Sequence, residues 1–133
     1  HLIIGNAYVN CNLLKNHNEK YFDTKNTNKN SISILYKNPF AGTTFAMSKS
    51  LVSQICPIPL VNKVPFHDWL IVLYASLRFN IFIIKKPTMI YRRHDNNLTN
   101  FYKSDNSNLK MLTNRFYILI ATIIIFFRNG KIK

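Results

Sequence analysis

Apolar and polar positions divide this chain into runs of different period. Residues 2–10 form a strand-like run that ends in polar residues. Residues 15–31 are rich in Asn, Lys and Thr and show no period, which predicts a surface loop of unusual length. Residues 31–36 fit a short strand or a helical turn equally well. Pro39 and Gly42 mark a turn, and 43–47 then alternate as a strand does. Ser48 is a capping residue for a helix over 49–55, which Pro57 and Pro59 end. Pro65 suits the first turn of a second helix over 66–79. There Phe66, Trp69, Leu70, Leu73, Tyr74 and Leu77 recur at steps that place them on one face. Two β-branched runs, 81–84 and 88–92, are separated by Lys85-Lys86-Pro87 and predict two strands joined by a turn. Residues 105–133 read as helical. Their apolar run from Phe116 to Phe127 would be roughly 18 Å long as a helix, short of the roughly 30 Å hydrocarbon core of a bilayer. That predicts a buried C-terminal helix, or an interfacial one flanked by Arg115 and Arg128, and not a single membrane span.

Short strands alternating with helices predict an α/β chain, and 133 residues predict one domain or part of one. The apolar fraction of 47% is enough for a core. The first residue is His1, already inside a strand-like run, and no secretion signal is visible. The chain therefore reads as a single partial domain, residues 1–133, cut from something longer. Cys11 and Cys56 lack metal-type spacing and suit a reducing compartment.

Charge changes the picture only in part. Eighteen Lys and Arg against five Asp and Glu give a net charge of +13. A nucleotide diphosphate, an anionic membrane surface and nucleic acid are each compatible with that balance. So is coding bias, since Asn, Ile, Lys, Tyr and Phe are all over-used together. The cations are scattered and form no nucleic-acid motif. There is no glycine-rich phosphate cradle, and Asn97-Leu98-Thr99 is a chance glycosylation pattern in a chain without a secretion signal.

Against this background Val64-Pro65-Phe66-His67-Asp68-Trp69-Leu70-Ile71 stands out. It places a scarce carboxylate at the mouth of an apolar helix, between an imidazole and the only Trp. Two other segments carry comparable chemistry. Gly42-Thr43-Thr44-Phe45-Ala46-Met47-Ser48 opens on a glycine that lets backbone approach a ligand or simply makes a turn. Tyr91-Arg92-Arg93-His94-Asp95-Asn96-Asn97 is a dense polar cluster directly after a strand.

In this order and spacing the three segments resemble family-2 glycosyltransferases, in particular the rhamnosyltransferase-like branch that builds bacterial surface polysaccharide. The resemblance covers roughly residues 38–100. It implies a GT-A fold, of which this chain is the C-terminal acceptor half: short mixed strands packed with helices, then a C-terminal helix. The nucleotide-binding half and its Asp-x-Asp metal motif would lie before His1, and no Asp-x-Asp occurs within the chain. The resemblance implies an inverting transfer of a sugar from a nucleotide-diphosphate donor to a glycan or lipid-linked acceptor. It assigns Asp68 as the catalytic base; beside it, His67 fits either orienting Asp68 or contacting the acceptor, and Trp69, Gly42 and Thr44 are candidate acceptor contacts, Trp69 through the flat face that suits a sugar ring. Arg92 and Arg93 are assigned to the diphosphate, and His94 to a divalent cation, Mn2+ or Mg2+, whose other ligands the missing half would supply. Asp95 stands where the family commonly has Gly, and Asn6 where relatives often carry Asp.

Each assignment has a plainer rival. Asp68 at a helix N-terminus can simply satisfy orphan amides. Trp69 on an apolar face can be core, Arg92 and Arg93 a surface pair, and His94 a loop histidine. The corresponding rival functions are an inactive truncated remnant and a basic membrane-surface module. The cytoplasm, at the inner face of a bacterial inner membrane, is the expected location.

Overall fold

The computed structural model describes residues 1–11, 20–23, 27–64, 66–93 and 108–130. The architecture among them is mixed α/β, a three-stranded sheet with helices. The first strand, β1 (Leu2–Cys11), lies in the middle. On one side it pairs antiparallel with β2 (Phe45–Met47), Leu2 opposite Met47 and Ile4 opposite Phe45. On the other it pairs parallel with β3 (Ile81–Arg93), from Leu2 opposite Ile81 to Cys11 opposite Arg93. Parallel neighbours need a long crossover. Here it contains α1 (Ser31–Tyr36), α2 (Lys49–Ile55) and α3 (His67–Arg78).

Local chemistry explains most boundaries. The Asn30 side chain accepts from the Ile32 amide and starts α1, so the ambiguous run 31–36 is helical. Ser48 caps α2 as its residue type suggests, accepting from the Leu51 amide at 3.3 Å. Before β2, residues Gly42–Thr44 make a 3-10 turn where alternation predicted strand. The Thr44 amide and hydroxyl both return to the Ala41 carbonyl, which closes that turn.

Two expectations about length and face are corrected. The central helix does not bury a single stripe. Leu70, Ile71, Val72, Leu73, Tyr74 and Ala75 are all buried in succession, while Leu77 is exposed. Such a helix is enclosed on all sides through its middle. Likewise, 81–84 and 88–92 are not two strands joined by a turn. They form one strand, β3, that keeps its partner through irregular register at Gly5, Asn6 and Ala7.

Asn6 is what carries β3 across Pro87. Pro87 has no amide to donate. The buried Asn6 side chain donates instead to the Lys85 carbonyl at 2.7 Å. Its Oδ1 accepts from the Ala7 and Phe22 amides, and Thr88 Oγ1 donates to the Asn6 carbonyl. The buried positions of β1 change parity here. Leu2 and Ile4 enter the main core, whereas Ala7 and Val9 join Tyr21 in a small second cluster.

The C-terminal helix, α4 (Asn108–Gly130), has 23 residues and continues well beyond the apolar run in both directions. It buries Ile118, Ala121, Thr122 and Ile125 against the body. Arg115 donates to the Tyr36 carbonyl near one end. At the other end Arg128 donates to the carbonyls of Gln54, Ile55 and Pro57, the open C-terminus of α2.

Candidate functional site

Gly42 and Asp68 meet, although 26 positions separate them. A Cβ placed on Gly42 would lie 2.9 Å from Asp68 Cβ and 3.7 Å from Asp68 Oδ2. Real Cβ atoms do not come so close, so only glycine allows this approach. Each partner is held from behind. Asn38 fixes the approach to Gly42 by accepting from the Phe40 amide and donating to the Phe40 carbonyl, both at 3.0 Å. Phe40 is anchored in the core. Asp68 is in the first turn of α3, the most enclosed helix of the molecule.

The half-buried Asp68 carboxylate uses Oδ1 to accept from the Trp69 amide at 2.9 Å. The N-cap position itself is Phe66, which has no side-chain cap, and the Trp69 amide also reaches the Phe66 carbonyl at 3.2 Å. Among the described residues no donor is assigned to Oδ2, the oxygen on the Gly42 side. A carboxylate oxygen without a donor can accept a hydrogen bond from a hydroxyl.

The surroundings follow from the register. Read backward from Phe45 opposite Ile4, the chain brings the Thr44 carbonyl to 3.6 Å from a Cβ built on Gly5. Gly42 therefore lies further toward the carboxyl half of β1. The helix α3 ends next to the start of the sheet, where the Leu2 amide donates to the Asn80 carbonyl. Its twelve residues, roughly 18 Å of helix, carry Asp68 to the side toward which β1 and β3 run. In open α/β sheets, ligands sit beyond the carboxyl ends of the strands. Ala41 and Tyr91 both pack on the Ala7, Val9 and Tyr21 cluster. The two reach that cluster from opposite sides of β1, Tyr91 from β3 and Ala41 from the turn before β2.

The other expected site residues stand as follows. His67 is exposed. Trp69 is half-buried at the edge of the core, and its indole N–H donates to the Ile34 carbonyl at 2.6 Å. The ring thus locks α3 to α1, and only its exposed remainder faces outward. The Thr44 hydroxyl closes its own turn on Ala41 and keeps its oxygen as an acceptor. The backbones of Arg92 and Arg93 continue β3 opposite Asn10 and Cys11, but their side chains lie outside the described residues. His94 and Asp95 lie outside them altogether. Among the described residues no group of three or more His, Cys, Asp or Glu is gathered to hold a metal.

Sequence reasoning missed the role of Asn6. Treated as a weaker substitute for Asp, it is instead the amide that a bulged strand requires, because a carboxylate cannot donate to Lys85. The available signal was a polar residue directly after Gly5, in the interior of a strand that is apolar up to that point.

Comparison with known proteins adds one partial likeness. The chain is 28% identical, over an 85-position alignment, to the dTDP-rhamnosyl transferase RfbG of Shigella flexneri. The alignment covers 57% of this chain and 29% of that relative, so the chain spans less than a third of the relative's length. No protein-family model matches the chain. No solved structure matches it significantly.

Proposed function

We propose that this chain is the acceptor half of a GT-A glycosyltransferase of family 2. It works in an inverting transfer from a nucleoside-diphosphate sugar, a dTDP-sugar in the first instance, to a glycan acceptor of bacterial surface polysaccharide. The observation that carries this reading is the contact of Gly42 with Asp68. It joins two of the three segments on which the resemblance rests, and it leaves one carboxylate oxygen without a donor among the described residues. The partial likeness to a dTDP-rhamnosyl transferase supports the same reading.

In this mechanism Asp68 Oδ2 takes the proton from the acceptor hydroxyl. The acceptor oxygen attacks the anomeric carbon, and the bond from that carbon to the diphosphate breaks with inversion. The nucleoside diphosphate leaves with the electron pair. Arg92 and Arg93 neutralise its charge through their guanidinium forks. His67 and the exposed part of Trp69 border the acceptor, with the Gly42 to Thr44 turn on its other side. His94 helps to hold a divalent cation, whose remaining ligands come from a nucleotide-binding half. The test is a screen of nucleoside-diphosphate sugars on the full-length protein, reading nucleoside diphosphate release with and without a glycan acceptor. Acceptor-dependent release from one donor class supports the proposal. Absence of release from every donor favours a remnant without turnover.

A further inference from the structure

The outer face of α4 has no partner in the fold. Leu109, Leu112, Phe116, Leu119, Ile123 and Phe127 recur at three-, four- and seven-residue steps and form one stripe. All are exposed, Leu109 by 75% and Phe127 by 70%. A row of large apolar side chains like this marks an interaction surface rather than scattered exposure.

The charges beside the stripe indicate what covers it. No Asp or Glu occurs in α4. Among the described residues the only acids are Asp23 and Asp68, on other elements. Cations lie against aromatic rings on and next to the helix. Arg115 is 4.3 Å from the ring of exposed Tyr36, Arg78 is 4.6 Å from Phe126, and Lys63 is 5.8 Å from Tyr117. An apolar stripe bordered by cations and rings matches the boundary between acyl chains and anionic headgroups. A second copy of the chain fits poorly, since each carries a net charge of +13 and the two repel.

The orientation is also fixed. By length and composition α4 could cross a membrane. Crossing, however, would strip Ile118, Ala121 and Ile125 from the core and break the bonds of Arg115 and Arg128 to α1 and α2. Those attachments keep the helix flat on the body along its length. We propose that the outward stripe of α4 seats the protein on an anionic bilayer, with the helix lying in the membrane plane. This inference does not depend on the sugar-transfer reading.

Vesicle flotation of the full chain tests it. Vesicles of equal parts phosphatidylglycerol and phosphatidylcholine are compared with phosphatidylcholine alone. The anionic vesicles should bind the chain at least about tenfold more tightly. The Phe116→Ser, Phe127→Ser double variant should lose about tenfold or more of that binding. Both side chains are exposed, so circular dichroism should be unchanged. Alkaline carbonate should release the bound protein. Failure to float with anionic vesicles, or binding that the double variant leaves intact, would overturn the proposal. So would retention after carbonate, which indicates a span, or a wild-type dimer that the double variant abolishes, which indicates a second copy.

Discussion

At the scale of single residues, two small side chains set the geometry. Gly42 allows the Asp68 carboxylate to stand where it does. The Gly42→Ala variant must push Asp68 aside, and displacement of a reacting group by about 1 Å costs on the order of 10²-fold in rate. Turnover should fall by about that factor, and the thermal melt should also drop, since overpacking costs about 1–3 kcal/mol. Unchanged turnover would mean that the Asp68 position is irrelevant to activity. Asn6 works through its amide. In Asn6→Asp the donor to Lys85 is lost and a carboxylate is placed at a position only 2% exposed. Urea unfolding should show a loss of about 3 kcal/mol, the cost of a buried polar group left without its partner. Both positions were visible in the sequence only as residue types. Gly42 announced a turn, but the contact with Asp68 is tertiary and leaves no local trace.

At the scale of elements, local signals were sufficient where local chemistry decides. Ser48 specified the start of α2, and the periodicity of 66–79 specified a helix. Asn30 held the cap that resolves 31–36, yet a cap is informative only once the element after it is known. The signals failed where a distant partner decides. Lys85-Lys86-Pro87 has the composition of a turn, but Asn6, 79 positions away in the chain, ties Lys85 into a continuous strand. Helix α3 buries a wider surface than its strongest stripe indicated, because α1, α2 and α4 pack around it. For α4 the two faces make opposite predictions. Ile118→Ala, on the buried face, should cost roughly 2–5 kcal/mol of stability by the usual cavity penalty. Leu109→Ser, on the exposed face, should stay within about 0.5 kcal/mol. Equal costs at both positions, read by chemical denaturation, would show that α4 is not packed as described.

At the scale of the whole molecule, the sheet, the helix α3 and the turn at Gly42 bring an acid to the carboxyl side of two parallel strands. The sequence singled out the candidate residues there, through three segments in fixed order. It could not supply their spatial arrangement, which depends on the crossover that carries α3 back along the sheet. His94, assigned to the cation, lies outside the described residues, so the site's weight rests on Asp68. Its proposed role as the base is open to one decisive substitution. Asn at position 68 keeps the volume and an oxygen for the Trp69 amide, so that bond and the fold survive. It cannot accept a proton from an acceptor hydroxyl. The measurement is the initial rate of acceptor-dependent nucleoside diphosphate release by the full-length protein, wild type against Asp68→Asn, at saturating donor. A fall of about 10²–10⁴-fold is expected, the usual contribution of a general base, with an unchanged melting temperature. A variant that turns over at the wild-type rate would contradict it.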